Sequence, residues 1–241
     1  MVEKQNIMQC PCFPVSEETV EAHIMHFVQN DMAGYAVAIN AEKILKYTSN
    51  TTLKEVIDHS LYPYPDGAGA VLGLRWLHGF ASEKINMPIR ALETAHNNQL
   101  KVFIVGAKPD AHEAGVEIIK ARYPDIQLVG NLHGYHDEAD IISAIADAQP
   151  QLILLALGSP RQEIFAHKLI NSTQRGLAIG CGGALDILAG NLKRAPEFWI
   201  NNNIEWLYRL IQEPWRWRRQ LFLPVFMVKL LGATIKARFA R

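Results

Sequence analysis

Two rhythms of apolar residues alternate along the chain. Short runs dense in Val, Ile, Leu and Phe, such as VFIV and LILLAL, recur over 35–39, 101–105, 127–130, 152–157 and 176–180, and each predicts a strand. Between them, over 41–47, 53–59, 69–77, 89–97, 111–122, 138–148 and 162–170, apolar positions return every three or four residues, which predicts helices. Strands that read as unbroken apolar runs are buried on both faces, and helices joining successive parallel strands supply the covers. The pattern therefore predicts an α/β fold: a Rossmann-like, mostly parallel sheet with helices on both faces.

The last fifty residues depart from this pattern. From Ile204 the sequence keeps helical spacing (Trp206, Leu207, Leu210, Ile211) but gathers tryptophans and arginines. Pro214 starts a fresh helix, on which Arg216 and Arg219 share a face. The apolar run 221–228 is broken by Pro224 and stopped by Lys229, well short of the ~20 residues of a spanning helix. Such a segment suits a membrane surface, although a core helix with a solvated basic face has the same pattern. Charge marks the same boundary. The formal net charge is zero, yet residues 192–241 hold ten Lys or Arg against three acids, so a tail of +7 follows a body of −7. The expected organisation is a catalytic α/β domain over 1–191 and a basic amphipathic appendage over 192–241, whose charge calls for an anionic partner.

No basic stretch followed by an apolar run opens the chain, so no secretory signal is expected. Its three cysteines make no disulfide framework, and Cys10-Pro-Cys12 has no further Cys or His nearby to complete a zinc set. A reducing cytoplasm fits.

In parallel sheets, ligands bind beyond the carboxyl ends of the strands. That rule selects Asn40-Ala41-Glu42, Gly106-Ala107-Lys108-Pro109, the loop 158–163 (GSPRQE) and Cys181-Gly182-Gly183. Glycines at 180–183 let backbone N–H groups approach a diphosphate at a helix start, and a ligand-free turn uses the same residues. The third glycine and trailing acid of a dinucleotide fingerprint are missing. In 158–163, Pro160 suits the first helical position with Ser159 as its cap. Gln162 can donate and accept at a sugar hydroxyl or acetamido group, and Glu163 complements the helix dipole. Pro65-Asp66-Gly67 is an ordinary turn sequence, but its carboxylate can take a proton from an alcohol attacking a sugar carbon. No Asp-X-Asp pair or His/carboxylate cluster offers a metal site, and His133 and His136 merely flank a turn at Gly134. Leaving-group charge then falls to Arg, Lys or backbone donors. Arg209 also has Glu205 four residues away as a ready ion-pair partner.

Taken together, INAEK (39–43), PDG (65–67), VGAKP (105–109), GSPRQEIF (158–165), GCGGALDILAG (180–190), KRAPEFW (193–199) and EWLYRLIQEPWR (205–216) resemble, in order, the motifs of the WecG/TagA/CpsF glycosyltransferase family over about residues 35–220. The likeness is strongest to the enterobacterial-common-antigen branch, which transfers N-acetylmannosaminuronic acid; the teichoic-acid branch transfers N-acetylmannosamine. The resemblance implies an inverting transfer from a UDP-sugar to GlcNAc-diphosphoryl-undecaprenol, with no metal and no cofactor. By the same resemblance, Asp66 matches the proposed base, while Asn40 and Gln162 match polar residues of the substrate pocket. Gly106, Pro109, Gly182 and Gly183 stand in the matching loops, and Arg209, Arg216 and Arg219 match appendage arginines that close over the diphosphate. Arg90 stands in for the arginine of an Arg-x-x-Gly-x-acid-Leu pattern that residues 79–92 lack, and Ala38 stands where many members have Thr. The family likeness further implies a peripheral enzyme on the inner face of the cytoplasmic membrane, self-association of free protein with the appendage displaced, and no role for nucleic acid.

Two readings compete with this one. A nicotinamide-dependent oxidoreductase is favoured by the parallel sheet and glycines alone. A non-enzymatic, basic-tailed module for anionic lipid leaves Asn40, Asp66 and Gln162 unexplained. The transferase reading requires those three residues to meet at one cleft on the strand tips.

Overall fold

A computed structural model describes residues 3–183, 185, 196, 198–199, 205–212 and 222–239. A short antiparallel hairpin, β1 (Gln5–Ile7) and β2 (Cys10–Cys12), precedes helix α1 (Glu17–Gln29). Six strands then form one sheet: β3 (Gly34–Ile39), β4 (Tyr62–Pro65), β5 (Lys101–Gly106), β6 (Gln127–Leu132), β7 (Leu152–Ala156) and β8 (Leu177–Gly180). Their order is β4-β3-β8-β7-β5-β6 and every pairing is parallel. The connecting helices are α2 (Ala41–Lys46), α3 (Thr51–Asp58), α4 (Ala68–His78), α5 (Met87–Asn97), α6 (Pro109–Arg122), α7 (Glu138–Ala148) and α8 (Arg161–Thr173), followed by α9 (Glu205–Gln212) and α10 (Phe222–Phe239).

Alternation along each strand divides the core in two. Val37, Ile39, Phe103, Val105, Ile153 and Leu155 face the layer of α2, α3, α4, α7 and α8. Ala36, Tyr62, Val102, Ile104, Leu152 and Leu154 face α1, α5 and α6. The five strands expected from the sequence are all present. The sixth, β4, reads YPYP, and its two prolines disguise it; on the sheet edge a strand can lack ladder donors on its open side. The Phe13 N–H covers that side by donating to Pro63 O at 2.7 Å.

Cys10 and Cys12 are fully buried in the core rather than placed for a ligand, and burial pushes the Cys10 thiol up to about 12. His23, on the buried side of α1, bonds the Tyr62 hydroxyl at 2.7 Å, and burial holds its imidazole below the ordinary value.

The C-terminal helix differs from the expectation. Pro224 does not break it, because a proline in the first turn removes an N–H that has no intrahelical partner, and Lys229 does not end it. Phe226, Leu230 and Thr234, spaced four apart, are buried against α2 and α4. Phe226 sits over Gly69, where an added Cβ would lie 3.2 Å from both the Phe226 ring and Ala41 Cβ. This helix therefore rests on the first turns of the two helices that follow Asn40 and Asp66.

Candidate active site

Because β4, β3, β8 and β7 are neighbours, their carboxyl ends present Asp66, Asn40, the 181–183 turn and the 158–163 loop side by side. Asn40 caps α2, its Oδ1 accepting from Lys43 N at 2.9 Å. Asp66 is exposed, and its N–H donates to Ile39 O at 2.8 Å, so it stands one peptide beyond the β3–β4 ladder. Beneath it Tyr64 is buried. Burial holds its phenol well above the ordinary value, and the nearby acids Asp66 and Glu163 and the Cys181 thiol push the same way.

The 158–163 loop differs from its expected form. Helix α8 begins at Arg161 with Pro160 as the flanking residue, and Gln162 N donates to Gly158 O at 2.8 Å. Ser159 lies inside that turn and makes no cap. Gln162 and Glu163 are both buried, at 5% and 4% exposure. Gln162 Oε1 accepts from Gly182 N at 3.0 Å, so its oxygen, expected to serve a sugar, fastens the glycine turn. Gly180 is needed beneath it, since a Cβ there would fall 2.4 Å from Gln162 Nε2. Glu163 does not merely complement the helix dipole: its Oε1 pairs with Lys43 Nζ at 2.6 Å.

Across the sheet, the loop after β5 is equally constrained. Gly106 has φ +123, and a Cβ on it would strike the Ala156 carbonyl at 2.4 Å. Its own carbonyl accepts from His112 Nδ1 at 2.9 Å, and Pro109 opens α6. The loop after β6 leans on it, Gly134 N donating to Ala107 O at 2.9 Å. That contact brings Tyr135, 69% exposed, and the stacked rings of His133 and His136 to the strand-end side. Sequence reasoning passed over Tyr135; the signal was an aromatic cluster, HGYH, directly after a strand.

Over residues 5–240 the sequence matches the glycosyl transferase WecG/TagA/CpsF family. The chain belongs to that family. It is similar to an N-acetylglucosaminyldiphosphoundecaprenol N-acetyl-beta-D-mannosaminyltransferase of Bacillus subtilis (strain 168), 32% identical over 210 residues, covering 86% of this chain and 82% of the relative. A second transferase with the same description, from Bacillus spizizenii, is 30% identical over 217 residues, covering 85% of this chain and 81% of the relative. As a member of the WecG/TagA/CpsF family, the chain is a glycosyltransferase, which removes the oxidoreductase and non-enzymatic readings.

Of the arginines that the sequence singles out in this WecG/TagA/CpsF transferase, Arg90 lies apart from the cluster just described. Arg90 is engaged by Glu17 and by Glu93, the latter at 2.8 Å, where it lines a cavity of about 330 Å³ between α1 and α5. Arg209 belongs to α9, but its side chain lies outside the described residues, as do Arg216 and Arg219 altogether.

Proposed function

We propose that this transferase moves N-acetylmannosamine, or its uronic acid, from UDP to GlcNAc-diphosphoryl-undecaprenol, with inversion and without a metal. The observation that carries the reading is an exposed carboxylate, Asp66, at the tip of an edge strand beside the Asn40 cap. Both Bacillus relatives are named for an N-acetylglucosaminyldiphosphoundecaprenol acceptor and an N-acetylmannosaminyl group, which supports the acceptor and the sugar series.

In this reaction Asp66 removes the proton of an acceptor hydroxyl as its oxygen bonds to the anomeric carbon. The bond from that carbon to the diphosphate breaks on the opposite face, and its electron pair leaves with UDP. Departing charge is met by Arg209, Arg216 and Arg219 of the appendage and by the Gly183 N–H, since the Gly182 N–H is already held by Gln162. Gly106 and Pro109 shape the wall between the diphosphate and the Tyr135 loop, and the exposed Tyr135 ring offers a stacking face for uracil.

Helix α10 supports a peripheral attachment. Its buried face packs on the body while Val225, Val228, Leu231 and Ile235 form an exposed apolar stripe, with Lys229, Lys236 and Arg238 on the same helix. Such a helix lies in the headgroup region of an anionic leaflet. Among the described residues no helix is long and apolar enough to cross a membrane. The appendage and the acceptor's lipid then share the inner face of the cytoplasmic membrane.

The test is a panel of UDP-sugars offered with one GlcNAc-diphospho-lipid analogue. UDP-N-acetylmannosamine or its uronic acid should be transferred at least roughly tenfold faster than UDP-N-acetylglucosamine, a discrimination within reach of a site that bonds specific hydroxyls. The new linkage should have the anomeric configuration opposite to the donor's. Hydrolysis without transfer, or a product of retained configuration, would contradict the proposal.

A further inference from the structure

Buried charges are costly unless paired, and one such pair lies within the site. Lys43 and Glu163 are 6% and 4% exposed, with Nζ and Oε1 2.6 Å apart. Lys43 Nζ also donates to Ala38 O at 2.8 Å, and Gln162 Nε2 approaches Glu163 Oε1 at 3.5 Å. Gln162 in turn accepts from Gly182 N. A continuous polar path thus runs from the end of β3, through the first turns of α2 and α8, to the glycine turn after β8. Asn40 is tied to the same path, because its cap acceptor takes the Lys43 N–H.

Stability alone does not account for this arrangement. Glu163 Oε2 is buried with no hydrogen-bond partner among the described residues, and apolar residues of similar volume hold two helices together as well as an ion pair does. What an apolar pair lacks is direction. It has no acceptor to orient the Gln162 amide, and so nothing to fix which end of that amide meets Gly182.

We propose that Lys43 and Glu163 are positioning residues: they orient Gln162 so that the Gly180–Gly183 turn is set to receive the diphosphate of the donor. The inference rests on the UDP-sugar reading given above.

Three variants test it: Lys43→Met, Glu163→Gln and the double variant K43M/E163L. Each single change strands a buried charge and should lower the melting temperature by roughly 10 °C. The double variant removes both charges and should melt close to wild type. Its donor KM, measured well below the melting temperature, should nevertheless be about tenfold higher, the scale of one lost polar contact, with the acceptor KM within about twofold. A purely structural pair predicts the reverse, a well-folded double variant with the wild-type donor KM, and that result overturns the proposal. Should the double variant melt low, Lys43→Arg decides. Retaining the charge, it should keep a donor KM near wild type where Lys43→Met does not, and equal KM values for the two would overturn the role. Failure of the wild type to transfer from any UDP-sugar would refute the underlying reaction. A competent wild type with an unaffected double variant would refute only the role of the pair.

Discussion

Asp66→Asn is expected to fold like the wild type, melt within a degree or two of it on the scale of an ordinary surface change, and turn over roughly 10²–10⁴-fold more slowly. The fold should survive because the side chain is exposed and the strand-end contact of Asp66 is made by its backbone N–H. The chemistry should not survive, because an amide of the same shape does not accept a proton from the attacking hydroxyl. The defect should lie in kcat, with both KM values little changed, since the group acts as the bond forms rather than in binding. Near-normal turnover in a well-folded Asp66→Asn protein would remove Asp66 from this role.

A chain ending at residue 195 should lose transfer to background and stop sedimenting with anionic vesicles. Two effects combine. The truncation removes Arg209, Arg216 and Arg219, and it strips α10 from the first turns of α2 and α4, where Phe226 and Leu230 are fully buried. Burial of such side chains is worth about 1.5–3 kcal/mol each, so the truncated protein should also melt lower. The two effects are separable in the full chain. The double change Arg216→Ala and Arg219→Ala keeps the α10 packing, should melt near wild type, and should slow turnover roughly 10²–10³-fold if these groups stabilise the leaving diphosphate. A truncated enzyme working at full rate would refute the capping role of the appendage.

Much of this architecture was legible in the sequence, and the exceptions have physical causes. The central strands were plain because both faces are buried, which leaves runs such as VFIV and LILLAL with no polar interruption. β4 was not, because edge position tolerates the two prolines that disguise it. The α1 helix and its preceding hairpin were also missed: Val20, Ile24 and Phe27 supply the helical spacing, but histidines and acids crowd between them. At the site, the loops were found by one rule, that ligands meet the carboxyl ends of strands. The roles within them were harder to read. Gln162 and Glu163 stand in the first turn of a helix, where polar side chains read as solvated, yet both are buried by contacts to Gly182 and Lys43 that only the fold brings near. Lys43 was invisible for a simpler reason: a lysine in a short helix reads as surface, and its buried partner lies 120 positions away.

Amide hydrogen exchange with and without UDP tests the central claim most directly, because it reports where the nucleotide sits without requiring turnover. Saturating UDP should slow exchange in peptides spanning 106–109, 158–163 and 180–183, the segments that end β5, β7 and β8, and leave the groove between α1 and α5 unchanged. Slowing confined to that groove, with the strand-end segments unaffected, would contradict the account.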